Sequence, residues 1–246
     1  MNRRNFLKNT SLGLMSFLAL RNLSILAASD NNNIEAPFHW ARVKFDVERS
    51  VPDKWDIHPS GDQFFLSSLK KYTNINVDEN WHVADLGNIK EMQKYPFLFM
   101  TADGDFSCSR KQLLNLKEYL LRGGFLFAED CVYQTRGDRF FRGLKAKLED
   151  AFNTKMVKLP KNHEIYHCFF DLENGLPYYQ GINHGGYGLF LDNRLAAFLS
   201  PSDIHCAWTD LDRQLNRRIM KRWFPGKNTR DAIKMGINIV TYAMTH

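Results

Sequence analysis

The sequence predicts a layered α/β fold, with a mainly parallel sheet and helices on both of its faces. Three observations carry that expectation. Phe97-Leu98-Phe99-Met100 and Phe125-Leu126-Phe127-Ala128 are continuously apolar, as strands buried on both sides must be. Apolar residues elsewhere recur at helical spacing, as Phe65, Leu69 and Tyr72 do. Strands and helices alternate along the chain, the order that parallel strands joined by right-handed crossovers require.

The elements follow in order. Phe38 to Phe45 reads as a first strand with Phe38, Trp40, Val43 and Phe45 as its apolar members. A helix spans Asp62 to Tyr72, and a short strand His82 to Leu86. Pro96 introduces the Phe97 to Met100 strand. Ser109 offers an N-cap to a helix with Leu113, Leu116, Leu120 and Leu121 as apolar positions, and Gly123-Gly124 ends it. The Phe125 to Ala128 strand is followed by a helix marked by Phe141, Leu144, Leu148 and Phe152. Leu189 to Leu191 and Leu195 to Leu199 form a hairpin turning at Asp192-Asn193-Arg194. A last helix starts near Thr229 and buries Ile233, Ile237, Val240 and Met244. The result is a flavodoxin-like or class I glutamine amidotransferase-like layering.

The first thirty residues have a different character. Met1-Asn2-Arg3-Arg4-Asn5-Phe6-Leu7-Lys8 places paired arginines one residue ahead of Phe-Leu-Lys, the pattern read by the twin-arginine export receptor. A moderately apolar stretch and small residues at Ala27-Ala28-Ser29 complete the order of a signal peptide. Arg21 leaves the apolar run short and polar for a transmembrane helix of roughly 20 apolar residues. Residues 1–29 are therefore expected to be a signal, 30–36 (with Asp30-Asn31-Asn32-Asn33) a linker, and 37–246 a single α/β domain. The expected location is periplasmic or extracytoplasmic, with the twin-arginine export machinery as a first partner and an envelope protein as a second. Membrane contact beyond the signal stays open, with retention of the uncleaved segment as an anchor one form of it. Because this route moves folded chains, a metal ion or small molecule inserted beforehand is compatible with it.

Composition removes other classes. The chain carries 33 Lys and Arg against 27 Asp and Glu, a net +6, but four of those charges are Arg3, Arg4, Lys8 and Arg21. The remaining +2 gives no footprint for nucleic acid. Cys108, Cys131, Cys168 and Cys206 form no Cys-x-x-Cys pair, so neither a zinc ribbon nor a thioredoxin-type site is indicated. Folding before export argues against dependence on disulfides, and burial is the simpler role.

Several segments fall in one order: Ala41-Arg42 to Asp46, Tyr95-Pro96-Phe97-Leu98, Gly123 to Cys131, Ser200-Pro201-Ser202-Asp203-Ile204-His205-Cys206-Ala207-Trp208, and Gly236 to Ala243. Together they resemble the bacterial family called domain of unknown function 4159, over essentially everything from Pro37 onward. The resemblance implies a fold related to class I glutamine amidotransferase-like and trehalose-utilisation-like domains. It implies no reaction.

In open α/β sheets ligands bind beyond the carboxyl ends of the strands. There stand Thr101-Ala102-Asp103-Gly104-Asp105, Glu129-Asp130-Cys131, and Ser200 to Trp208. Asp103, Asp105, Glu129, Asp130, Asp203 and Trp208 are the candidate ligand contacts. Asp103, Asp130, Cys131, Asp203 and His205 are the candidate catalytic set. Cys131 occupies the place of an amidotransferase nucleophile, with His205 or His167 as base, yet no Gly-x-Cys-x-Gly surrounds it and Glu129 and Asp130 would blunt its thiolate. A structural thiol is the other reading. His163-Glu164-Ile165-Tyr166-His167 matches a zinc-protease pattern that needs a helix. The alternative there is a turn leading into a strand over Ile165 to Phe170. Asp103-Gly104-Asp105 could hold a cation or simply turn the chain. His184-Gly185-Gly186-Tyr187-Gly188 reads as a flexible rim, and Arg217-Arg218 with Lys221-Arg222 as the basic face of an amphipathic helix or a contact with anionic lipid. The leading expectation is a ligand-binding or partner-binding envelope module, and the rival is a hydrolase, with or without the assistance of a metal.

Overall fold

The computed structural model describes residues 36–46, 55–102, 104–132, 138–216 and 229–246. The export motif (Arg3, Arg4, Phe6, Leu7 and Lys8), Asp103 and the basic run from Arg217 to Arg222 lie outside them. A seven-stranded sheet runs in the order β2-β1-β3-β4-β7-β6-β5. Its strands are β1 (Ala41–Lys44), β2 (His82–Asp85), β3 (Phe97–Ala102), β4 (Phe125–Asp130), β5 (Val157–Lys158), β6 (Tyr187–Leu191) and β7 (Arg194–Ser200). The first five in the spatial order are parallel, and β6 and β5 add an antiparallel edge. The helices are α1 (Pro59–Tyr72), α2 (Ile89–Met92), α3 (Arg110–Leu121), α4 (Arg139–Phe152), α5 (Ile204–Asn216) and α6 (Thr229–Thr245). This is the α/β, flavodoxin-like layering that the sequence predicts. Among the described residues no helix is long and apolar enough to cross a membrane.

The apolar runs sort by parity. Phe97 pairs with Phe125 and Phe99 with Phe127, while Leu98 pairs with Leu126 and Met100 with Ala128. Successive side chains in a strand point to opposite faces. One face is therefore aromatic and the other aliphatic. The aromatic face adds Trp40 and Phe198 and is covered by α1, α5 and α6 through Phe65, Trp208, Ile233 and Ile237. The aliphatic face adds Ala197 and Leu199 and is covered by Leu116 and Leu120 of α3 and Leu144 and Leu148 of α4. Stacking of Phe65 on Trp208 at 4.3 Å, with Trp40 packed against Phe65 at 5.0 Å and Trp208 at 6.0 Å, fixes α1 and α5 on the first face.

Local chemistry sets the boundaries. Ser109 caps α3 with a full capping box, its hydroxyl accepting from Gln112 N–H while the Gln112 side chain accepts from Ser109 N–H. Pro59 opens α1 earlier than its apolar spacing suggests, because proline costs nothing at a first helical position. The hairpin turns on Asp192 and Asn193, with φ of 49° and 64°, the geometry of a two-residue loop that follows strand twist. β1 is shorter than expected, since Phe38 makes only an isolated bridge to Val77. Tyr72, Leu121 and Met244, placed on buried faces by spacing, are about half exposed. Each lies in the final turn of its helix. The glycine-rich segment ends in the sheet. Tyr187 and Gly188 belong to β6, and Leu159 N–H donates to the Gly186 carbonyl at 2.9 Å.

Candidate functional site

Residues at the carboxyl ends of the central strands come into register. Thr101 lies beside Glu129 and Glu129 beside Ser200, while Ala102 lies beside Asp130. Alternation sends Glu129 to the aromatic face and Asp130 to the aliphatic one. Each meets the start of a helix there. Glu129 Oε1 accepts from Ile204 N–H at 2.7 Å at the head of α5, and Asp130 Oδ2 accepts from Phe141 N–H at 2.7 Å in the first turn of α4. Two consecutive acids thus supply acceptors to helix N-termini on opposite sides of the sheet, whose exposed N–H groups need them.

Asp203 lies near enough to influence both. It adopts φ 55° just before α5, and all of it is buried. Its Oδ2 accepts from Val132 N–H at 3.0 Å and from the Gln180 amide, and its Oδ1 from Cys206 N–H at 3.4 Å. One carboxyl therefore ties the backbone after Cys131 to the backbone of Cys206. Burial, with Asp203 nearby, pushes Glu129 well above the usual carboxyl range. Burial likewise raises Asp130 to about 8, with Asp203 and Asp138 adding to the effect, and Asp203 itself to about 6. Among the described residues Thr101 Oγ1, Glu129 Oε2, Asp130 Oδ1, Ser202 Oγ and His205 Nδ1 are buried with no hydrogen-bond partner. Native interiors keep few such atoms, and Thr101, Glu129, Asp130 and Ser202 all stand at or just beyond the ends of β3, β4 and β7.

All four cysteines carry thiols. Cys131 follows β4 directly, and its Sγ lies 3.1 Å from Sγ of Cys206 in the first turn of α5. His58, ahead of α1, brings a ring nitrogen to the same place, so that all three ligand-type atoms lie within 4.8 Å of one another. Burial and the paired sulfur hold Cys206 well above the usual thiol range, with the sulfur contact the larger cause.

His205 lies elsewhere. It is fully buried under α1, where Arg42, Asp62 and Trp40 form a charged knot within the aromatic face. Trp40 Nε1–H donates to Asp62 Oδ1 at 2.7 Å, and Arg42 donates to Asp62 through Nε at 2.8 Å and through Nη2. Arg42 Nη2 also sits 3.1 Å from His205 Nε2. The same Nε2 lies 3.8 Å from Asp62 Oδ1, so Arg42 and Asp62 compete for it. Burial first, and the Arg42 charge as well, lowers the His205 pKa despite Asp62. Asp62 would be raised by its burial, but Arg42 and His205 outweigh that and hold it low. His205 is thus engaged by Arg42 and Asp62.

The other candidates disperse. Asp105 is exposed and faces Arg139 at 3.5 Å. Trp208 is a core residue, its Nε1–H donating to the Ala232 carbonyl at 2.9 Å. His163 to His167 contains a single 3-10 turn, Glu164–Tyr166, in place of either the zinc-protease helix or the strand. His163 Nδ1 accepts from Ile165 N–H at 3.2 Å, while His167 uses Nδ1 on Asp171 and Nε2 on the Lys161 carbonyl. The two imidazoles share no face. The structure therefore gathers Glu129, Asp130, Cys131 and Asp203, and gives His163, His167, Asp105, Trp208 and His205 other partners.

Arg42, Asp62 and His58 were missed as site neighbours. A charged residue between Ala41 and Val43 in an apolar strand was the available signal for the first. Asp62, three and seven residues before Phe65 and Leu69 on one helix face, was the signal for the second.

A flavodoxin-like α/β sheet whose carboxyl rim is a buried layer of acids and thiols defines the class. More particularly, the chain belongs to the family described as a domain of unknown function (DUF4159), whose family model matches residues 39–244, across all seven strands. No curated protein matches it.

Proposed function

We propose that this chain is an exported module of the cell envelope that binds a ligand at the carboxyl rim of its parallel sheet. The observation that carries the reading is the cluster of buried polar atoms without partners at the ends of β3, β4 and β7. Their position agrees with where open α/β sheets take ligands. The export half of the reading rests on Arg3-Arg4 followed by Phe6-Leu7-Lys8. The rival reading of a hydrolase is the weaker, because its base, His205, is held in the Arg42–Asp62 knot.

Native mass spectrometry on protein exported by its own signal tests the binding. A stoichiometric adduct whose occupancy falls in Asp203→Asn is expected; a clean apo mass sinks the reading. Cell fractionation tests the address. With Arg3→Lys and Arg4→Lys together the precursor should stay in the cytoplasm, and undiminished export overturns the assignment.

A further inference from the structure

The geometry points to a metal site at this rim: His58, Cys131 and Cys206 hold a thiophilic divalent ion of the zinc type, with one coordination position left for the rim ligand. The inference rests on the ligand-binding reading and names what that ligand meets. Three elements far apart in sequence deliver the donors, one residue each from the start of α1, the end of β4 and the first turn of α5. Two sulfurs suffice to explain a packed thiol pair, but they do not explain an imidazole brought within 4.8 Å of both.

The donor set selects the ion. Thiolate and imidazole suit zinc and its soft neighbours, whereas calcium and magnesium require oxygen. Zinc holds sulfur at about 2.3 Å and nitrogen at about 2.0–2.1 Å. The sulfurs, 3.1 Å apart, need to part by less than an ångström to share such an ion. Three protein ligands and an open fourth position distinguish reactive or ligand-taking zinc sites from closed structural ones.

Support behind the ligands is already built. Asp203 accepts from Val132 N–H and from Cys206 N–H, fixing the backbones that carry both sulfurs. Outer contacts of this kind orient metal ligands elsewhere. His58 is exposed while the sulfurs are buried, so the ion would sit at the boundary between core and solvent.

Cobalt(II) is the probe. The exported chain, stripped with chelator and kept reduced under anaerobic conditions, should bind one equivalent and show a thiolate-to-cobalt charge-transfer band. Cys131→Ser and Cys206→Ser should each diminish that band. His58→Asn keeps both sulfurs and a side chain tolerant of left-handed backbone. It should stay folded by circular dichroism and weaken cobalt binding by at least roughly tenfold, the scale that even outer-shell changes reach. Cys168→Ser, whose thiol donates to the Asn238 carbonyl far from the rim, should change nothing. A folded, reduced wild type with no band overturns the inference, and so does a band that survives both serine variants. A Cys131–Cys206 disulfide in the isolated protein with no band after reduction overturns it too. If the band is absent but native mass spectrometry still finds an organic adduct, the metal falls and the rim reading stands. Absence of both removes both.

Discussion

Arg42 sits inside an aromatic layer, where Asp62 Oδ2 accepts from both its Nε and its Nη2 while Asp62 Oδ1 accepts from Trp40 Nε1–H. Removing one partner leaves the other charge buried and unpaired. Asp62→Ala should therefore cost about 3–5 kcal/mol in urea unfolding, while exchanging both residues for apolar ones of similar volume should cost far less. A loss below about 1 kcal/mol for Asp62→Ala would show that water reaches Arg42. A second acid acts at the opposite, amino end of the sheet. Asp78 receives the Asn80 N–H, His82 and His39, and these hold its pKa down to about 2 despite some burial. A carboxyl with a depressed folded pKa contributes stability that is present above its unfolded value, 3.8, and lost as pH falls toward about 2. The contribution is up to about 2 kcal/mol. Denaturation at pH 5 and pH 2 should show that loss in the wild type and a smaller loss in Asp78→Asn; equal losses rule out Asp78 as the source.

Gly236 shows what an element demands of one position. A Cβ there would stand 2.5 Å from the Phe65 ring and 2.6 Å from Trp208, because α6 crosses α1 and α5 at that point. Gly236→Ala should destabilise by about 1–3 kcal/mol through overpacking, although alanine is the better helix former. A gain in melting temperature would mean that the three helices have room to part. At the start of α3, Ser109→Ala should cost about 1 kcal/mol, read in the same assay. Much of this scale was legible. Ser109 and Gly123-Gly124 bracket α3, and Asp192-Asn193 turn the hairpin, because caps and tight turns depend on neighbours in sequence. The final turns were not: Tyr72, Leu121 and Met244 keep the apolar period but outrun the surface that would cover them. His163 to His167 failed for the same reason in reverse, since a five-residue pattern carries no information about the loop that holds it.

For the whole molecule, the parallel order followed from Phe97 to Met100 and Phe125 to Ala128, whose unbroken apolarity suits only strands covered on both faces. The site was legible as far as strand ends could place it, which joined Glu129, Asp130, Cys131 and Asp203. His58 and the Arg42–Asp62–His205 knot arise from helix packing, and no spacing in the sequence encodes that. The layering also sets where the fold is firm. Amide exchange should be slowest in β3, β4 and β7, which are buried along nearly their whole length, and fast in the two exposed residues of β5. Equal protection of β5 and β4 in hydrogen-exchange mass spectrometry would contradict this account.

The helix that closes the aromatic face, α6, follows every strand in the chain, and Trp208 and Phe65 both lean on it. During synthesis, then, a sheet lined with phenylalanine and tryptophan is only partly covered, by α1 and α5, until this late segment clears the ribosome. The protein cannot be finished piecemeal from its amino end. Were the chain exported only when folded, as proposed, its translocase would in effect be waiting for α6, and the interval before it arrives is when a chaperone has most to cover.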